Sequence, residues 1–169
     1  MNDMEPRFGL SKVAPEALST LLEMEKYLWA CDMDERLLEL VRIRVSQING
    51  CTYCLEMHTK VARAAGESEE RLYLLSAWRD TGDLFNIKER TALAWAESLT
   101  RADPLSPVKA PGDTYGHLIK HFTEREIVDL TFVIIAINNW NRFAISFEGF
   151  DQGAVRAIYR AKKQVHKQK

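Results

Sequence analysis

Four side chains between positions 39 and 58 of this 169-residue chain have types and spacing that allow joint chemistry: Glu39, Cys51, Cys54 and His58. The stretch INGCTYCLEMH places two of the chain's three cysteines three residues apart and a histidine four residues after the second. If Thr52 to Ala65 is helical, Cys51, Cys54, Leu55, His58, Ala62 and Ala65 form one stripe. Glu56, Thr59, Lys60 and Arg63 then lie on the opposite side. Helical residues three apart are separated by roughly 5 Å between Cα atoms, within disulfide range. A bridge over so short a loop stabilises little, which suits reversible redox chemistry.

Two effects activate the thiols, and they favour different ones. Cys51 stands at the helix start, where unpaired N–H groups stabilise a thiolate. Cys54 has His58 at i+4, a base able to take its proton. A base removes a proton and a helix end does not, so Cys54 is expected to be the nucleophile and Cys51 the more exposed partner. A histidine base works better with a carboxylate to orient it. In an antiparallel hairpin turning at Gly50, His58 lies opposite about residue 42, with Glu39 about one turn, or roughly 5 Å, further on. Glu39 is off the centre of its own apolar face, however, sharing a stripe with Ile43, Ser46 and Gly50. It is functional only if its helix is buried on a second side, and a solvated Glu39 fits the sequence equally well.

The elements that must hold these residues read as helices throughout. Glycine, proline and aspartate punctuate the chain, and no segment alternates with a period of two. Helices are expected over Pro15–Trp29, from Asp34 as N-cap to the NG at 49–50, over Thr52–Ala65, from Ser68 to Trp78, and over Ile87–Leu99. The proline-bearing segment 102–113 reads as a long loop, a candidate lid or oligomer contact. A short helix covers Tyr115–His121, and Thr123 with Glu126 forms a capping box for the next. That helix is apolar all round from Leu130 to Ile137, which predicts the central, buried position, and it turns abruptly polar at NNWNRF. After Asp151 a basic helix follows over 151–169, whose charges suit a solvated face or frayed tail. The fold class expected is all-α, one helical-bundle domain over 1–169, with its core motif at 34–66.

Composition narrows the function. A formal charge of −1 gives no attraction to nucleic acid or an anionic membrane. The start MNDMEPRFGL lacks the apolar core of a signal peptide, and the longest apolar run, FVIIAI, is too short to span a bilayer. A cytoplasmic setting, where thiols are kept reduced, is therefore expected.

Glu39, the INGCTYC turn and His58 together resemble the alkylhydroperoxidase D-like proteins of the carboxymuconolactone decarboxylase superfamily. The resemblance is close over Asp34–Gly66 and looser through TEREIVDLT and NNWNRF. It implies an all-helical fold, homo-oligomers (trimers or hexamers), a hydroperoxide substrate and an external dithiol reductant such as a lipoyl-bearing protein. It also implies that Cys54 is the peroxidatic thiol, that Cys51 is its disulfide partner, and that Glu39 and His58 relay the proton; no cofactor is implied. One departure stands out: the better-known peroxidases of the family carry a histidine where this chain has Tyr53. A phenol with a pKa near 10 donates a hydrogen bond but is a poor proton shuttle at neutral pH.

Four other readings use the same residues. A dithiol–disulfide oxidoreductase shares all of them. A zinc site would take Cys51, Cys54, His58 and Glu39, although three of these lie on one helix. Inert core cysteines, or a non-enzymatic oligomeric interaction module, would leave the thiols unused. Elsewhere, Cys31 reads as packing, His117 and His121 as surface residues, and Trp140 as core. Asn138, Asn139 and Arg142 either satisfy a helix end or interface, or line the thiol pocket, where Asn139 and Arg142 would join Tyr53 as supporting residues.

Overall fold

The computed structural model describes residues 5–101 and 114–166. Its helices are α1 (Leu10–Val13), α2 (Pro15–Ala30), α3 (Glu35–Asn49), α4 (Thr52–Ala64), α5 (Glu69–Leu74), α6 (Ile87–Thr100), α7 (Thr114–Leu118), α8 (Glu124–Phe147) and α9 (Gln152–His166). Tight 3₁₀ segments, Leu75–Asp80 and Gly82–Leu84, join α5 to α6, and no strand occurs among the described residues. The all-α expectation holds. The segment 102–113, expected to be a loop, lies outside the described residues.

Local chemistry explains most boundaries. Pro15 opens α2 at a position where its missing N–H costs nothing. The Asp34 carboxylate accepts from the Arg36 N–H at 3.0 Å to start α3. Thr123 and Glu126 close the expected capping box on α8, and Asn86 with Glu89 forms a second one on α6. The helix expected from Ser68 to Trp78 breaks at Leu74 into 3₁₀ turns, with a kink at Ala77 (φ −111°, ψ 22°).

The central helix is α3, not α8. All ten residues from Leu37 to Ser46 are buried, because α4, α6 and α8 pack around α3. Leu38, Val41 and Val45 enter the larger core, which also holds Leu130, Ile134 and Ile137 of α8. Leu40 and Ile43 enter a second core with Leu75, Phe85 and Leu93. Serving two cores buries both sides of α3, and its charged residues are then matched by ion pairs, such as Arg44 with Glu97 at 2.7 Å. On α8, by contrast, Val128, Phe132 and Ile135 form an exposed stripe. The helix also runs through the polar NNWNRF stretch to Phe147. Those amides are helical because they find partners across the interface: Asn49 donates to Asn138 and Asn141 at 3.0 and 2.9 Å, and Asn141 donates to Ser46 at 3.1 Å.

The α3–α4 turn sets the site. Gly50 sits in the left-handed region (φ 70°), and the Cys51 N–H returns to the Ser46 carbonyl at 3.0 Å. A Cβ at Gly50 meets nothing within 4 Å. Gly50→Ala should therefore cost only the backbone penalty, about 1–2 kcal/mol. Urea unfolding measures this, and an unchanged midpoint would show that the turn does not need the left-handed conformation.

Candidate active site

Cys51 is the N-cap of α4, and its Sγ accepts from the Cys54 N–H at 3.4 Å. The two sulfurs are joined as a disulfide across a Cα separation of 5.4 Å. The expectation that Cys51 is the more exposed partner fails, since Cys51 and Cys54 retain only 2% and 1% of their surface. Both pack into the larger core, because the tight Gly50 turn folds the start of α4 onto it. Access distinguishes them instead: Cys54 lines the main cavity and Cys51 is not among its walls.

His58, one turn beyond Cys54, also lines that cavity. Its Nδ1 lies 2.8 Å from Glu39 Oε2, so the contact is direct. Glu39 is buried, which follows from the enclosure of α3 on every side. Burial pushes its carboxyl pKa upward, but the hydrogen bond from His58 and the charge of Arg42 outweigh burial and hold it at about 2. An ionised carboxylate only accepts hydrogen bonds, so Nδ1 carries a proton, and in the neutral ring the lone pair lies on Nε2.

Behind this pair lies a network that sequence reasoning missed. Arg42 Nη1 donates to Glu39 Oε1 at 2.6 Å, and its Nη2 stands 3.9 Å from Glu25 Oε2. The Trp140 indole N–H donates to Glu25 Oε1 at 2.9 Å. Burial lowers the Arg42 pKa, but Glu39 and Glu25 more than offset this and leave it raised. The i, i+3 pairing of Glu39 with Arg42 was visible in the sequence, whereas Glu25 and Trp140 arrive from α2 and α8 with no local signal.

The cavity has a volume of about 380 Å³. Its lining includes Cys54, His58 and Glu39 and is otherwise largely apolar and aromatic. Tyr53 lines it, its ring edge-on to Phe150 at 5.4 Å, and burial raises the phenol pKa. Cys31 packs against the core as expected and also reaches the cavity wall. The basic C-terminal helix does more than present charge. Ala154 and Ala161 are buried, and Ile158 and Tyr159 of the same helix form part of the cavity wall. Trp140 is buried as expected and lines the cavity too. Asn139 and Arg142 do not line it; Arg142 donates to Asn138 Oδ1 at 2.9 Å on the same helix. His117 is exposed and His121 half-buried. Among the described residues, no three His, Cys, Asp or Glu side chains group so as to hold a metal ion, and no helix is long and apolar enough to cross a membrane.

The profile of the carboxymuconolactone decarboxylase family matches residues 15–98. The uncharacterized protein YdfG of Bacillus subtilis is 39% identical over 144 residues, covering 85% of this chain and 95% of its own. A solved protein of unknown function from Agrobacterium tumefaciens, proposed to be the antioxidant defence protein AhpD, superposes with a TM-score of 0.77. It is 35% identical, with 85% of this chain and 96% of that one covered. An uncharacterized peroxidase-related protein from Silicibacter shares the fold, with a TM-score of 0.67 at 24% identity over 80% of this chain and 70% of its own. With the family profile, sequence identity and fold in agreement, this chain belongs to the carboxymuconolactone decarboxylase family, among its AhpD-like members.

Proposed function

We propose that this protein is a thiol-dependent hydroperoxidase. In the reduced enzyme, His58 Nε2 takes the Cys54 proton while Glu39 accepts from Nδ1 and stabilises the imidazolium. The Cys54 thiolate attacks the terminal oxygen of a hydroperoxide, breaking the O–O bond. Cys54 becomes a sulfenic acid, and the alkoxide leaves with the proton returned by His58, as an alcohol. The Cys51 thiol then displaces water from that sulfenic acid to give the Cys51–Cys54 disulfide. An external dithiol reduces the disulfide and is itself oxidised to a disulfide. Tyr53, a phenol whose pKa is raised, stays protonated, so the relay rests on His58 and Glu39 alone.

The observation supporting this reading is one cavity lined by both Cys54 and a histidine whose Nδ1 proton is held by Glu39. The test is Cys51→Ser: one equivalent of hydroperoxide should leave a sulfenic acid at Cys54 that a cyclic 1,3-diketone traps, read by mass spectrometry. Absence of the adduct, with the wild-type disulfide still exchanging with dithiols, would make the protein a dithiol–disulfide oxidoreductase.

A further inference from the structure

The cavity is far larger than hydrogen peroxide requires, since a water-sized molecule occupies about 30 Å³ of liquid. Trp29, Trp140, Phe150, Tyr53 and Tyr159 contribute rings to its wall, which suits an organic molecule with an aromatic or branched apolar body. Its charges are unevenly placed. Glu25, Glu39 and Arg42 are all buried and line it, giving the interior a formal charge of −1 with the His58 ring neutral. The remaining charged wall residues, Glu35 and Lys162, face each other at 3.5 Å on the exposed rim and cancel. The permanent cation of the interior is flanked by carboxylates: Arg42 donates to Glu39 at 2.6 Å and has Glu25 on its other side at 3.9 Å. A carboxylate entering this space would lose its water, meet in Arg42 a cation whose charge Glu39 and Glu25 already share, and face an excess of negative charge.

We infer that the cavity selects its organic substrate by charge as well as size, admitting an uncharged or cationic aromatic molecule and rejecting a carboxylate of the same shape. The inference rests on the hydroperoxidase reading only for the –OOH group such a molecule would carry. Glu25 is the residue that tips the balance, because without it Arg42 and Glu39 neutralise one another.

Three alcohols that cannot react test the selection by binding alone: 2-phenyl-2-propanol, its para-carboxylate and its para-aminomethyl derivative. Trp29 and Trp140 line the cavity, so quenching of intrinsic fluorescence at pH 7.5 reports occupancy. The carboxylate should bind at least about tenfold more weakly than both the neutral and the ammonium compound. In Glu25→Gln the gap between the carboxylate and the ammonium compound should close to within about threefold. A carboxylate that binds wild-type protein as tightly as the ammonium compound overturns the inference, and so does binding of none of the three. A folded Glu25→Gln protein with the gap unchanged overturns the assignment to interior charge. If circular dichroism shows that variant to be unfolded, the wild-type comparison decides alone. Charge selection in binding without any consumption of cumene hydroperoxide would count against the hydroperoxidase reading and leave the inference standing.

Discussion

Cys54→Ser should abolish dithiol-dependent consumption of cumene hydroperoxide, with a fall of about 10³-fold or more in kcat/KM. The size of the effect follows from the chemistry. His58 can take a proton from a thiol near neutral pH, but a serine hydroxyl is far too weak an acid to be ionised by an imidazole. A hydroxyl also has neither the nucleophilicity towards oxygen nor the oxidation states that a sulfur uses. The substitution removes the disulfide as well, so the variant should show two free thiols, Cys31 and Cys51, whether or not oxidant is added. Helical content by circular dichroism should be preserved, because a three-residue loop closure adds little stability. Full activity in this variant, with loss in Cys51→Ser, would exchange the roles of the two cysteines.

Glu39→Gln should damage catalysis and stability together. Arg42 donates to Oε1 at 2.6 Å, which fixes the oxygen end of the glutamine there and turns its amide NH₂ towards His58 Nδ1. Nδ1 must then accept, the ring proton moves to Nε2, and the nitrogen left for Cys54 is a donor. A comparable tautomer switch in serine proteases costs about 10⁴-fold, and a loss of roughly 10²–10⁴ in kcat/KM is expected here. The variant also leaves Glu25, at 3.9 Å, as the one carboxylate beside the buried Arg42 cation, a change that costs up to about 3–5 kcal/mol. Acid titration isolates this contribution. The folded-state pKa of Glu39 is lowered from 4.5 to about 2, so its stabilisation is complete above 4.5 and is lost as the pH falls towards 2. The displacement corresponds to roughly 3 kcal/mol, and the wild-type urea midpoint should drop over that window while Glu39→Gln, lower from the outset, loses less. Parallel acid profiles for the two proteins would place the charge of Glu39 outside the fold's stability.

What could be read along the chain depended on range. The α3–α4 hairpin was legible because its determinants are local: the Asp34 cap, the left-handed Gly50 and the stripe of Cys51, Cys54 and His58. The extent of α8 was misread for the opposite reason. NNWNRF looks like a helix end until Asn49 and Ser46 supply partners from a helix some ninety residues earlier. Likewise the run from Leu130 to Ile137 is apolar all round, yet periodicity does not tell which face of an outer helix is left uncovered, and Phe132 and Ile135 stay exposed.

The sequence by itself determined the helical class, the shared face of two thiols and an imidazole, and the spacing that lets the sulfurs join, because each follows from the geometry of one short helix. Tertiary structure alone decided whether Glu39 was solvated or buried, which thiol meets the cavity and which charges line it. Those outcomes depend on α2, α8 and α9 closing over the hairpin and bringing Glu25, Trp140 and Tyr159 to it. Burial and electrostatic balance are sums over neighbours distant in sequence, so no local pattern carries them.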